Sequence, residues 1–239
     1  MPAVLDLELS VPTGTQVYSA RLHGAACALL EKSNAVPHTA QHKPFSVGPL
    51  FEGSGGRTHW RLGWLEATEP PQLPAVLTLG PARCKVQHTR PASVTFTELL
   101  AGLPVRHAEL HFVSPTFFAR KGRDLPLPDP VLIMRSLASR WDAHAPAELA
   151  LPATELSALL DTVYLHEMAG ETRRAQVSRT MWQTGFVGAA RLALTRAGDD
   201  VTTQVFTALT RFAEFAGVGA QTTHGFGAVR LASPQASDG

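Results

Sequence analysis

The segment GVGAQTTHGFGAV (217–229) holds two glycine–hydrophobic–glycine triplets, Gly217-Val218-Gly219 and Gly225-Phe226-Gly227, separated by five residues. Before it, VTTQVFTALTRFAEFA (201–216) repeats its apolar residues with the spacing of an amphipathic helix. After it, GFGAVRL (225–231) reads as a closing strand. Glycine reaches positive φ and lets another backbone come close, so the first pair ends a helix and the second leads into a strand. Successive amides in such a loop can form an anion-binding nest. The order helix, loop, strand excludes a dinucleotide fingerprint, which needs strand, glycine loop, helix. A helix cap explains one glycine, whereas mirrored pairs ask for more than a cap.

Upstream of this loop, HAELHFV (107–113) alternates as a strand. DPVLIMRSLASRWDAH (129–144) predicts a helix with Asp129 as N-cap and Pro130 at its first position. ELSALLDTVYL (155–165) predicts a second helix, and FVGAARLALT (186–195) a strand. The first half repeats the scheme. In VLDLELSV (4–11), Leu5, Leu7 and Leu9 alternate with Asp6, Glu8 and Ser10, as in a half-buried strand. SARLHGAACALLE (19–31) carries Leu22, Ala26, Leu29 and Leu30 at helical spacing. A polar loop leads to a short strand at Phe45–Val47, a further strand in HWRLGWLEA (59–67), and one or two more in LTLGPARCKVQHTRPASVTF (77–96). A short helix is expected at Thr97–Leu100, and the pattern restarts around Gly102-Leu103-Pro104. No solenoid period of 20–50 residues is present. The economical architecture is α+β in two units, 1–104 and 105–239.

At 239 residues, with 44% hydrophobic and 17% charged residues, the chain is globular and long enough for two domains. Its net charge of +1 leaves nucleic-acid binding open, because positive charge gathered on one face suffices. Two cysteines, Cys27 and Cys84, provide neither a disulfide framework nor a zinc site and read as small buried hydrophobes. The N-terminus, MPAVLD, is not a signal peptide by pattern, and no apolar stretch reaches the ~20 residues of a membrane helix. A cytoplasmic protein with no membrane partner is expected.

GVGAQTTHGFGAV resembles the C-terminal glycine-rich loop of the RAMP superfamily of CRISPR-associated proteins, and within it that of the sixth Cas protein, the endoribonuclease that cuts CRISPR repeat transcripts into guide RNAs. Three further segments carry the resemblance in the same order: KPFSVGPL (43–50), like the family's K-P-F-T-x-S-P-L; HFVSPTFFARKG (111–122), like the turn opening its second domain; and LPLPDPVLIMRSLASRW (125–141), like the helix that follows. Gly48 departs from a frequent serine, and Val113-Ser114 from Leu-Thr. The resemblance implies two tandem ferredoxin-like (RRM-like) domains and RNA cleavage that leaves 2′,3′-cyclic phosphate and 5′-hydroxyl ends, with no metal and no cofactor. It implies CRISPR repeat RNA as partner, and it leaves room for other CRISPR-associated proteins of an effector complex and for a homodimer.

That reaction needs a base for the 2′-hydroxyl, an acid for the 5′-oxygen and a cation for the phosphorane. The family's acid/base is a histidine shortly after the first helix, a window that holds His38 and His42; His38 has the family's spacing to the lysine of the K-P-F segment. Lys43 is the candidate phosphate cation. Read without the resemblance, the two histidines are solvated loop residues and Lys43 a surface lysine. Tyr18 and His23 are weaker candidates, since His23 lies on a helix with a mostly apolar stripe and reads as a packing or solvent-facing residue. Arg120, Lys121 and Arg123 in ARKGRD (119–124) and Arg173, Arg174 and Arg179 in ETRRAQVSR (171–179) gather charge in two expected loops. Such runs are ordinary solvated surface, or, in an RNA-binding frame, phosphate contacts. Gly217, Gly219, His224, Gly225 and Gly227 complete the RNA-binding expectation, with His224 either touching RNA or capping the turn.

Two rival readings remain: a non-catalytic RAMP subunit that binds guide RNA as a scaffold, and a small-molecule enzyme of α+β fold. The second would call for paired carboxylates or a metal-ligand cluster. The sequence has no D-x-D, and its ten histidines are scattered.

Overall fold

The computed structural model describes residues 1–31, 43–53 and 57–232. The first half runs β1 (Ala3–Ser10), α1 (Ser19–Leu30), β2 (Phe45–Glu52), β3 (Thr58–Trp64), β4 (Val76–Leu79), β5 (Ala82–Ser93) and α2 (Phe96–Leu100). Its antiparallel sheet has the order β2-β3-β1-β5-β4. Leu5, Leu7 and Leu9 face Leu22, Ala26, Leu29 and Leu30 of α1, which gives the alternating strand and the helical stripe one shared core. Pro70, Pro71 and Pro74 occupy the connection from β3 to β4, where no helix forms.

The second half runs β6 (His107–Thr116), β7 (Phe118–Arg120), β8 (Arg123–Leu125), α3 (Pro130–His144), α4 (Ala153–Thr162), β9 (Val163–Gln176), β10 (Trp182–Leu194), α5 (Asp200–Ala216) and β11 (Val229–Leu231). The main sheet has the order β11-β6-β10-β9, and β7 and β8 form a separate hairpin. A central first strand with the fourth on one side and the third, then the second, on the other is the ferredoxin-like order. The first half shows the same order, as β2-β3-β1-β5, with its second helix missing. The fold is therefore two tandem ferredoxin-like domains.

Local chemistry sets the helix ends. Asp129 accepts the Leu132 amide at 2.9 Å, with Pro130 at the first position, and Asp199 accepts the Thr202 amide at 2.8 Å. Helix α5 buries Phe206, Leu209 and Phe212 completely, each contributing about 1.5–3 kcal/mol of burial. The buried hydroxyls of Thr203, Thr207 and Thr210 bond carbonyls four residues back at 2.8, 2.8 and 2.9 Å, so no buried donor is stranded there.

The halves are interlocked. Leu65, Phe96 and Leu99 belong to the second core. Ser46 on β2 donates to the Phe215 carbonyl at 2.5 Å. Beside it, Gly63 lies so close to that carbonyl that a methyl group would have no room. The end of α5, and the glycine loop that follows it, are thus pinned against the first sheet.

Several boundaries differ from the sequence expectation, among them the closing strand, which spans Val229–Leu231 rather than 225–231. The short strand at Phe45–Val47 extends to Glu52, and the strand expected from 186 begins at Trp182. The expected helix at 155–165 ends at Thr162 and passes directly into β9. ETRRAQ, read as loop, is strand: Arg173 and Arg174 pair with Gly185 and Thr184 of β10. Beyond Glu167 this strand is exposed on almost every residue, so it carries no alternation to betray it.

Candidate active site

The glycine loop is built by backbone exchange with the Ser114-Pro115-Thr116-Phe117 turn at the end of β6. Gly227 donates to the Pro115 carbonyl at 3.1 Å, Ala220 to Phe117 at 2.8 Å, and Ala228 to the Ser114 hydroxyl at 2.9 Å. Val218 closes the loop on the Gly227 carbonyl at 2.8 Å, and Gly219 donates to the Ser136 hydroxyl of α3 at 2.9 Å. Arg140 reaches in from α3 and donates to the Gly217 and Gly219 carbonyls at 3.2 and 2.8 Å. Burial pulls its guanidinium down to about 10. Gly217, Gly219, Gly225 and Gly227 all have positive φ, between 66° and 88°. At Gly227 a side chain would also collide with the Val218 carbonyl. Two of the segments that carry the resemblance are therefore one physical object. The amides of Val218, Gly219, Ala220, Gly227 and Ala228 are used inside the protein, which corrects the expectation of an open anion nest across the loop.

The loop's single turn of 3-10 helix, Thr222–His224, docks on α1. The His23 and His224 rings stack at 3.8 Å, 10° from parallel. His23 Nδ1 lies 2.9 Å from the Thr223 carbonyl, so this nitrogen carries the proton and donates. Its Nε2 meets Cys27 Sγ at 3.5 Å. Burial, then Glu31, push the Cys27 thiol up to about 11, so Cys27 stays protonated. His224 Nδ1 pairs with its neighbour's hydroxyl, Thr223 Oγ1, at 3.1 Å. Ser19 at the start of α1 donates to the His224 carbonyl. Burial, His23 and then Lys43 lower His224 to about 4, so the stacked ring is neutral at physiological pH. Lys43, at the entry to β2, forms an ion pair with Glu31 at the C-cap of α1, with both side chains nearly buried.

The expected site residues thus separate into groups. Lys43 stands beside the glycine loop and close enough to act on His224 electrostatically. His38 and His42 lie outside the described residues. Tyr18 sits under the Arg21 guanidinium, 4.6 Å from its ring centroid. The stacked pair went unread in the sequence, because His23 and His224 are far apart in the chain and neither breaks a local pattern. Cys84 is buried, and Cys27 is half-buried against His23.

Both basic segments lie on one flank. Arg120, Lys121 and Arg123 form the exposed tip of the β7–β8 hairpin, with Lys121 in the left-handed turn. Arg173 and Arg174 are exposed on β9, and Arg179 sits in the turn to β10. Gln183 on β10 donates to Asp124 on β8 at 3.1 Å and so joins the two hairpins. The β9–β10 turn in its own right reaches the candidate site, since the Ala20 amide of α1 donates to the Val177 carbonyl at 3.0 Å.

A second charged surface escaped the sequence reading. A cavity of about 290 Å³ on the open face of the first sheet is lined by Asp6, Glu8, His59, Arg61, His88 and Arg90, with Phe51 and, from β11, Arg230. Register produces two rungs, Arg61–Asp6–Arg90 and His59–Glu8–His88, each an acid between two basic groups. The period-two polar positions of β1, β3 and β5 were the available signal. Burial, reinforced by Arg230, lowers Arg61.

Comparison with known proteins places this geometry. Residues 110–229 match the family model of the CRISPR-associated endoribonuclease Cas6. A solved Cas6 product complex is 28% identical, covering 97% of this chain and 100% of that one, with a TM-score of 0.78. A product complex of a Thermus thermophilus Cas6 is 26% identical, covering 97% and 99%, with a TM-score of 0.83. A Cas6 substrate-mimic complex is 27% identical, covering 96% and 99%, with a TM-score of 0.74. A sequence search of curated proteins finds no match.

Proposed function

The chain belongs to the family of the CRISPR-associated endoribonuclease Cas6, and from that premise we propose that it binds CRISPR repeat RNA and cleaves it to guide RNAs without a metal ion. The 2′-hydroxyl oxygen attacks the adjacent phosphorus and forms the P–O2′ bond. The P–O5′ bond breaks, and one proton moves from O2′ to a base while another reaches O5′ from an acid. The products are a 2′,3′-cyclic phosphate and a 5′-hydroxyl.

The observation that carries this reading is the junction of α1, Lys43 and the glycine loop, where a buried lysine stands beside a neutral, stacked imidazole. His38 is the proposed acid/base, since it lies in the segment between α1 and Lys43; His42 is the alternative in the same segment. A Cas6 28% identical to this chain has also been solved as a mutant with one histidine replaced by alanine. Lys43 would exchange Glu31 for the scissile phosphate and stabilise the phosphorane. His224 and the adjoining Gly225 are the loop's proposed RNA-facing residues, while Gly217, Gly219 and Gly227 serve RNA binding by shaping the turn. Arg120, Lys121, Arg123, Arg173, Arg174 and Arg179 would hold phosphates along the paired hairpins.

The test is single-turnover cleavage of a repeat RNA in EDTA. Wild-type protein should cut and leave a cyclic phosphate end. His38→Ala should slow cleavage at least ~100-fold, the lower end of acid–base contributions, with RNA affinity nearly unchanged. Loss of cleavage in EDTA, restored by magnesium, would remove the metal-free mechanism. Tight binding without products would leave the scaffold reading instead.

A further inference from the structure

Among the four tryptophans, Trp60 and Trp141 are fully buried and Trp64 is 5% exposed, whereas Trp182 is 50% exposed. It opens β10, next to Met181, which is 58% exposed. A large aromatic ring in water at a strand end does nothing for the core, and apolar patches of this kind mark interaction sites. Its surroundings specify the partner. Arg174 is its diagonal cross-strand neighbour, because Trp182 pairs with Gln176 and Thr184 with Arg174. The Arg174 guanidinium lies 5.5 Å from the ring centroid. Arg179 is in the same turn, and the Gln183–Asp124 bond brings up the basic β7–β8 hairpin. Glu171 is already paired with Arg173, and the single charge of Asp124 is outnumbered by Arg120, Lys121 and Arg123 on its own hairpin.

An exposed aromatic ring set among arginines is suited to a flat, electron-rich group beside a phosphate, and a nucleobase of RNA is that group. The same turn touches α1 through Val177 and Ala20, and His23 follows one helical turn later. We infer that Trp182 is a stacking platform for one nucleobase of the bound RNA, held by Arg174 and placed next to the cleavage site by the β9–β10 turn. This rests on the RNA-processing reading above and adds to it a base-contacting residue on a flank otherwise served by phosphate contacts. Stacking explains why an aromatic side chain, and not another arginine, sits at this position.

The location of the other three tryptophans makes the test direct. Acrylamide-accessible tryptophan emission reports Trp182, with Trp182→Phe as the blank. Titration with a repeat RNA should quench that emission along the same curve as the anisotropy of labelled RNA. One abasic position in the RNA should remove the quenching. Trp182→Ala should weaken binding roughly 5- to 100-fold, the range of one base–aromatic stack, and Trp182→Phe should retain most of the affinity. Thermal melts of both variants should match wild type. RNA that binds by anisotropy without changing the emission overturns the platform and leaves the RNA-processing reading standing. RNA that does not bind at all overturns both. Emission that shifts with protein concentration in the absence of RNA would make the patch a contact between two copies and also overturn the proposal.

Discussion

The glycine loop and the β9–β10 hairpin meet at α1, one through Thr222–His224 and the other through Val177. The loop is over-determined: positive-φ glycines, five amides bonded within the protein, and a partly buried arginine on two of its carbonyls leave it one conformation. The hairpin is the reverse. Its backbone is an ordinary antiparallel pair, and its arginines, methionines and tryptophan extend into water. The contrast matches two physical demands. Acid–base chemistry needs groups held to a fraction of an ångström. Phosphate and base contacts need reach, charge and adjustable side chains. Substitutions in the loop should therefore act through geometry and stability, and those on the hairpin through affinity and its response to salt.

The sharpest way to break this contrast is Gly227→Ala. Positive φ for a non-glycine residue costs about 1–3 kcal/mol, and the added methyl group also meets the Val218 carbonyl. The expected result is a destabilisation of about 3 kcal/mol or more, read by thermal or urea unfolding, together with loss of cleavage. A variant that melts and cuts like wild type would show that the loop is not the rigid element described.

The hairpin should respond differently. Arg173→Ala with Arg174→Ala should leave melting unchanged and weaken RNA binding roughly 10-fold, about 1.4 kcal/mol. The slope of log K against log salt should flatten by roughly 1 to 2, because each lost phosphate contact removes about 0.7 to 0.9. Arg173 is already paired with Glu171, so Arg174 should carry the larger share. Unchanged affinity and slope would make both arginines plain solvated surface.

How much of this could be read from the sequence follows the same division. The caps at Asp129 and Pro130, the glycine turn and the alternating Leu5, Leu7 and Leu9 are local rules that folding had no reason to override. Strand β9 was hidden because it edges the sheet with most of its residues in water, which leaves neither a helical nor a two-residue period. The His23–His224 stack was hidden because it joins residues 201 positions apart along the chain. What marked His224 was only its place inside the loop. The nest expectation failed for an instructive reason: glycine spacing reports backbone shape, and the amides so exposed were taken by the Ser114–Phe117 turn and Ser136 rather than by a ligand.

The smallest effect concerns pH and would sharpen the picture of a buried, neutral ring. In the folded protein His224 takes up a proton only near pH 4, because burial and the facing His23 and Lys43 oppose a charge there. In the unfolded chain its imidazole protonates near 6.5. As pH falls from about 6.5 towards 4, the unfolded state therefore gains a proton that the folded state refuses, and stability drops through that window. Above 6.5 the contribution is fully present; below 4 the loss is complete and levels off. The ring is only half-buried, so solvent screening reduces the effect to about 1 kcal/mol, or roughly 2–4 °C in Tm for a chain of this size. His224→Gln should remove that share of the slope, so that the wild-type and variant melting curves converge as pH is lowered from 7 to 4. Parallel curves across that range would mean that the stacked ring protonates in place, and that the junction at α1 is more open to water than the loop that builds it.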